Sequence, residues 1–315
     1  MYKILYGNSK DILKIIESES IDCIVTSPPY WSQRDYGVDG QLGLEPIIKE
    51  YINNLCDIFD ECKRVLKKSG TCWVVIDDTY YGGGRMNGSS PEKLSYKQKS
   101  NRGTATDDKA MLFKWENELP KKCLCQIPAR FAIEMIDRGW ILRNEIIWEK
   151  PNAMCESVKD RFTMDYEKIY FFTKRGDYYF EQQLEKYINV DKSIRANINK
   201  KHINDIMSTC ASSLSRKRLN RPNVDGRNKR SVWSIPTQPS NDAHYAVYPE
   251  KLIWPMIKAG CPDGGMVLDP FSGSGTTLLV AEKLKRNSIG IELNKEYIKM
   301  AHKRLSIYTN QYNLF

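Results

Sequence analysis

The sequence predicts an α/β protein with a doubly wound, mostly parallel sheet assembled from both ends of the chain and a basic region inserted between them. Three observations carry this. Short apolar runs alternate with amphipathic segments in the first third, the same alternation returns after residue 248 around a glycine-rich turn, and the excess positive charge is confined to one internal stretch. Strand, helix, strand in succession is the pattern of parallel strands joined by crossover helices.

"YKILY" and "IDCIVT" read as short buried strands, with "SKDILKIIESES" between them as a helix. From Leu44 to Lys68 apolar residues recur at Ile48, Ile52, Leu55, Phe59, Cys62 and Leu66, in alternating steps of four and three. That spacing predicts one long amphipathic helix, with Gly70 as its stop. "TCWVVID" is the third strand. Residues 82–117, rich in Gly, Ser, Lys and Asn, have no sustained period and predict a mobile active-site loop or a segment that orders on binding. "IPARFAIEMIDRG" then predicts a helix, and "WILRNEIIW" and "YEKIYFFTK" predict strands. The last third reads as helix "PEKLIWPMIKAG", strand "GMVLD", a glycine turn, helix "TTLLVAEKLKR", strand "SIGIEL" and helix "NKEYIKMAHKRLS".

Composition narrows the class. With 315 residues, 41% of them hydrophobic, the chain can fill a large core. It has no run of about 18 apolar residues, and "MYKILYGNSKDIL" lacks the basic-then-apolar order of a secretion signal, so a cytoplasmic protein with no membrane partner is expected. Nine cysteines without a Cys-x-x-Cys pair, and three histidines, predict neither a disulfide framework nor a metal site. Between Lys192 and Arg230 stand eleven Lys/Arg and two Asp/Glu, a balance of +9, so the remainder carries 37 basic and 37 acidic residues. Clustered Lys/Arg is the electrostatic footprint of phosphate binding, and nucleic acid is the expected partner.

Two motifs carry chemistry. "TSPPYW", Thr26 to Trp31, places adjacent prolines and two large aromatics at a strand end. The prolines fix φ and keep the preceding residues out of the helical region, so the carbonyls around Ser27 and Pro28 are held in one direction, as in a preorganised acceptor site. In "VLDPFSGSGTTLLVAEKL", Gly273 and Gly275 stand where a strand turns into a helix. Bare backbone and helix N–H groups there admit a ligand closely. It is no phosphate loop, since Gly-Lys-Ser/Thr is missing, and Leu278 occupies the third glycine position of a dinucleotide fingerprint. Glu292 ends the next strand, where an acid accepts hydrogen bonds from a ribose in doubly wound folds. Together they predict a nucleoside cofactor without a pyrophosphate.

"DPFSGSGTT" together with "TSPPYW" resembles the amino-methylating DNA methyltransferases of the beta group, which use S-adenosylmethionine. In that group the Pro-Pro-Tyr motif precedes the target-recognition segment and the glycine motif comes near the C-terminus. "IIWEKPNAMCESVKDRFTMDYEKIYFFTK", "KRSVWSIPTQP", "HYAVYPEKLIWPMI" and "GIELNKEY" look like family segments in family order. The resemblance implies a circularly permuted methyltransferase fold in three regions. These are residues 1–180 as the catalytic half, 181–235 as the basic target-recognition region and 236–315 as the cofactor half. It implies S-adenosylmethionine held by Asn8, Asp269, Phe271, Ser272, Gly273, Gly275, Thr276 and Glu292. Asn8 replaces the family's usual aspartate, and Cys155 falls where a proline often follows the "KPN" turn.

The implied reaction moves a methyl group to an exocyclic amine of a flipped base in double-stranded DNA. Ser27, Pro28, Pro29 and Tyr30 form the catalytic turn, with the Ser27 side chain and Pro28 carbonyl accepting from the amine and Tyr30 stacking on the base. Trp31 lines the pocket or packs behind it. Arg216, Lys217, Arg218, Arg221, Arg227, Lys229 and Arg230 are the expected DNA-binding residues. In this family Ser before Pro-Pro is commoner among cytosine-N4 enzymes, which favours that substrate. Adenine N6 is the alternative, followed by an inactive DNA-binding protein of this fold or an RNA methyltransferase. Cytosine-C5 transfer is discounted, since no cysteine follows a proline. A cognate restriction endonuclease is a further expected partner; monomer and homodimer stay open.

Overall fold

The structure, a computed structural model, describes residues 1–81, 119–185, 227–238 and 248–312. The first half contains β1 (Tyr2–Tyr6), a single α-turn α1 (Ser9–Ile12) running into a 3-10 turn (Leu13–Ile15), β2 (Ile21–Thr26), α2 (Ile48–Val65) and β3 (Leu66–Ile76). There follow α3 (Ile127–Asp137), β4 (Ile141–Glu149), β5 (Tyr166–Thr173), β6 (Leu184–Glu185), β7 (Arg227–Asn228) and β8 (Val232–Ser234). The last part contains α4 (Glu250–Gly260), β9 (Met266–Asp269), α5 (Thr276–Lys283), β10 (Asn287–Glu292) and α6 (Lys295–Tyr312).

The chain forms two compact units, Met1–Glu181 with Ser231–Phe315, and Gln182–Arg230. In the larger, one eight-stranded sheet runs β1-β10-β9-β2-β3-β5-β4-β8. Only β5 is antiparallel to its neighbours β3 and β4. The described part of the smaller unit pairs β6 with β7 antiparallel.

Alternation along the central strands divides the core between the two faces of the sheet. Ile24, Cys72, Val74 and Ile76 pack with α2 and α3 through Leu55, Phe59, Phe131 and Met135. Cys23, Val25, Trp73 and Val75 pack with α4 and α5 through Leu252, Ile253, Met256 and Val280. Burial on both faces explains why "CIV" and "WVVI" read as unbroken apolar runs. The sheet is therefore doubly wound and mostly parallel.

Three expected boundaries move. The long helix begins at Ile48 and ends at Val65, because Leu66 turns extended with ψ 134° and opens β3. Gly70 is thus a strand residue, and a Cβ there would lie 2.6 Å from the Leu66 side chain and 3.1 Å from the Asp22 carbonyl, so it serves close strand approach. The helix of "SKDILKIIESES" stops after two short turns, since Ile16 is already extended at ψ 134°. α5 ends at Lys283, with Leu284 as its cap.

The union of the two chain ends decides where the chemistry lies. β2 pairs in parallel with β9 through Cys23↔Val267 and Ile24↔Leu268. The segments that follow these strands, "SPPY" and "PFSGSG", therefore emerge side by side at the carboxyl edge of the sheet, where doubly wound folds bind ligands.

Candidate active site

Asp269 joins the two motifs. It is fully buried, and its carboxylate accepts from Thr26 Oγ1 (2.6 Å), Thr277 Oγ1 (2.6 Å), the Phe271 N–H (3.0 Å) and the Tyr248 hydroxyl (3.1 Å). Burial raises its pKa, and these four donors pull the other way. The carboxylate is consumed inside the protein, tying the ends of β2 and β9 to the start of α5.

Beside it opens a cavity of about 540 Å³ lined by Asn8, Ser27, Pro29, Phe271, Gly273, Ile291, Glu292 and Asn294, among others. That volume suits a nucleoside-sized ligand. The Glu292 carboxylate accepts from the Gly273 N–H (2.8 Å) and the Asn294 N–H (2.7 Å), which fixes its direction at the cavity wall. Burial raises its pKa against those two bonds. It retains lone pairs for further donors. Asn8 lines the cavity as the N-cap of α1, accepting from the Lys10 N–H (2.9 Å) and donating to the Gly40 carbonyl (3.1 Å). Both its polar ends already have protein partners.

The expected cofactor residues thus divide. Asn8, Phe271, Gly273 and Glu292 line the cavity, whereas Asp269, Ser272, Gly275 and Thr276 do not. Gly275 caps α5 against α6, where a Cβ would fall 2.9 Å from that of Ala301. The Thr276 hydroxyl accepts from Arg304 (3.0 Å), and Ser272 is buried with its hydroxyl unpartnered among the described residues.

Of the expected catalytic residues, Ser27 and Pro29 line this cavity and Pro28 and Tyr30 do not. The Ser27 hydroxyl donates to the Tyr30 hydroxyl (2.9 Å), which donates to Glu167 Oε2 (2.6 Å). Because a carboxylate only accepts, the direction of this chain is settled, and Ser27 Oγ is left as an acceptor. Glu167 Oε1 is paired with Lys150 Nζ. Burial and the neighbouring Glu167 charge push the Tyr30 phenol well above its ordinary pKa, so it stays protonated. Burial, then Glu167, raises Asp77 at the end of β3 to about 7. The Tyr51 hydroxyl donates to the Pro29 carbonyl (2.8 Å), and Trp31, 2% exposed, donates its indole N–H to the Glu45 carbonyl (2.9 Å). Trp31 packs behind the turn.

Sequence reading missed Lys150, Glu167, Asp77 and Gly43. Glu167 lies in "YEKIY", where a charged residue inside an apolar strand was the available signal, whereas Lys150 follows the end of β4 and carried no such signal. Gly43 (φ +91°) lies so near that a Cβ would come within 2.8 Å of the Tyr30 carbonyl oxygen. Of the expected DNA-binding residues, Arg227 and Arg230 both pair with Glu185 within the smaller unit, at 2.8 and 3.0 Å. Lys229 donates its N–H to the Gln183 carbonyl. Arg216, Lys217, Arg218 and Arg221 lie outside the described residues, as does the 82–117 segment.

A proline turn and a glycine turn share one cavity at the edge of a doubly wound sheet, and sequence comparison supplies the class of protein that has this arrangement. The chain belongs to the N6/N4 DNA methylase family, whose model matches residues 21–303. Among its relatives, the type II methyltransferase M.SmaI of Serratia marcescens is 37% identical over 303 residues, covering 96% of this chain and 90% of that protein. M.Cfr9I of Citrobacter freundii is 38% identical over 299 residues, covering 95% and 86%. In fold, the chain resembles the cytosine-N4-specific PvuII DNA methyltransferase at 20% identity, with a TM-score of 0.62 over 96% of this chain and 86% of that one. It also resembles the Thermus thermophilus protein TTHA0409 complexed with S-adenosyl-L-methionine, at 19% identity and a TM-score of 0.56, covering 97% and 93%.

Proposed function

We propose that this methylase transfers a methyl group from S-adenosylmethionine to the exocyclic N4 amine of a flipped cytosine in duplex DNA. The single observation that carries the reading is that Ser27 of the acceptor turn and Gly273 and Glu292 of the glycine turn line one cavity. The residues present fit the cofactor: Glu292 is held at the wall as an acceptor for ribose hydroxyls, and Phe271 and Ile291 offer apolar surface to an adenine. When bound, S-adenosylmethionine supplies an electrophilic methyl group.

The protein's own part is to make the amine nucleophilic. Its lone pair is delocalised into the ring, and acceptors on its N–H groups favour the pyramidal form in which the pair is free. Ser27 Oγ, whose proton is committed to Tyr30, accepts one. The second acceptor, assigned to the Pro28 carbonyl on the family resemblance, follows Ser27 directly in the turn, while the Pro29 carbonyl beside it accepts from Tyr51. Both are preorganised for the positive charge that develops on nitrogen. Tyr30, its hydroxyl fixed by Glu167, is assigned to stack on the flipped base.

Serine at the head of the turn favours cytosine, and adenine N6 is the second reading because the same acceptors suit either amine. Residues 181–235 serve as the target-recognition region, with Arg216, Lys217, Arg218 and Arg221 as phosphate contacts. The test is to incubate the protein with S-adenosylmethionine and, in separate reactions, mixed-sequence duplex DNA or RNA, digest to nucleosides and identify products by mass spectrometry. N4-methylcytosine is expected. N6-methyladenine overturns the base assignment, and methylation of RNA in place of DNA overturns the substrate.

A further inference from the structure

The loop between β4 and β5, residues 151–165, combines two properties that rarely meet. Phe162 is 96% exposed and Met154 90% exposed. Yet the loop is tied down along its length. The Lys150 N–H donates to the Asp165 carbonyl (2.7 Å), and the Ala153 N–H to the Lys150 carbonyl (2.9 Å). Asn152 exchanges bonds with the Thr237 backbone, donating at 3.0 Å and accepting at 2.8 Å. Arg161 pairs with Glu156, lies 3.9 Å over the Tyr80 ring and donates to the carbonyl of Phe162 itself (3.1 Å). A loop held this firmly while presenting large apolar side chains to water is shaped for a surface that covers them.

Its position says which surface. The loop leaves the sheet at Lys150 and returns to Glu167, the ion pair that holds Tyr30. Met154 is four residues from the first and Phe162 five from the second, so by chain reach their Cα atoms stand at most about 14 and 18 Å from those of Lys150 and Glu167. A duplex with one base in the turn passes within a comparable distance, its major groove alone being about 12 Å wide. We propose that Met154 and Phe162 form an apolar wedge that enters the base stack of the substrate duplex beside the target and stabilises the vacancy left when the base swings out. The inference rests on the DNA reading above. Flipping requires unstacking and unpairing, and apolar side chains set between base steps offset that loss. Phe162 and Met154 do so without ordering a loop, because the loop is already ordered.

The test compares two short duplexes carrying the site that the wild-type protein methylates, one fully paired and one with an abasic nucleotide opposite the target, where pairing is already lost. The double variant Met154→Ser with Phe162→Ser should lower kcat/KM on the paired duplex by about tenfold or more and stay within about threefold of wild type on the abasic one. A 2-aminopurine in the target position should show a smaller fluorescence rise on binding the variant without cofactor. An unchanged thermal midpoint establishes that the exposed substitutions leave the fold intact. Equal losses on both duplexes, or no loss on the paired one, overturn the wedge. If the wild type methylates no site in mixed-sequence duplex DNA, from which these duplexes are drawn, the DNA reading itself fails and the wedge with it.

Discussion

Glu167 holds Tyr30 from behind: one carboxylate oxygen accepts the phenol proton at 2.6 Å while the other pairs with Lys150. Glu167 sits near the start of β5 and Tyr30 just past β2, so the contact crosses the sheet and sets the ring and, through it, the Ser27 hydroxyl. Glu167→Gln should lower kcat by roughly 10- to 100-fold, the loss of one hydrogen bond to a charged acceptor, with affinity for S-adenosylmethionine unchanged. Single-turnover rates and calorimetric cofactor titration check this; parallel loss of both would assign Glu167 to folding.

Gly43 touches the same turn from the outside. A Cβ at its φ of +91° would meet the Tyr30 carbonyl oxygen at 2.8 Å, so Gly43→Ala must strain its own backbone or shift the turn. A stability loss of about 1–3 kcal/mol in urea unfolding is expected, with reduced turnover. Unaltered stability would mean that the loop yields freely.

The glycine turn is tested by steric block. A Cβ at Gly273 meets nothing within 4 Å, so a large side chain there extends into the space beside Glu292. Gly273→Trp should weaken S-adenosylmethionine binding by about a hundredfold or more while the protein stays folded. Unchanged affinity would remove this turn from the cofactor site.

Asp77 makes stability depend on pH. Burial, reinforced by Glu167, raises its pKa from 3.8 to about 7, so the folded protein holds this proton more tightly than the unfolded chain does. Its contribution is complete below about pH 4 and is lost as pH rises through 7. Asp77→Asn should therefore flatten the decline, gaining roughly 1–4 kcal/mol over wild type at pH 8. Urea titrations at pH 5 and pH 8 would show it; an identical slope in both proteins would disprove it.

The basic segment is tested by salt. Removing Arg216, Lys217 and Arg218 together should weaken DNA binding and reduce the slope of log K against log salt by about 2–3. An unchanged slope would place the phosphate contacts elsewhere.

By itself, the sequence determined the class of fold, the order of its elements and the two motifs. Those features are local: apolar spacing reports which faces are buried, and "SPPY" and "GSG" constrain the backbone whatever surrounds them. It also determined family membership, since motif order is a property of the linear chain. Only the tertiary structure decided which residues of the motifs face the cavity. Asp269 and Glu292 are both strand-end acids, yet four internal donors consume the first while the second lines the pocket. It likewise decided that Glu167 reaches Tyr30, a contact spanning 137 positions of sequence. The physical reason is the pairing of β2 with β9 and of β3 with β5: each brings together segments far apart in the chain, and no local spacing encodes such a neighbour.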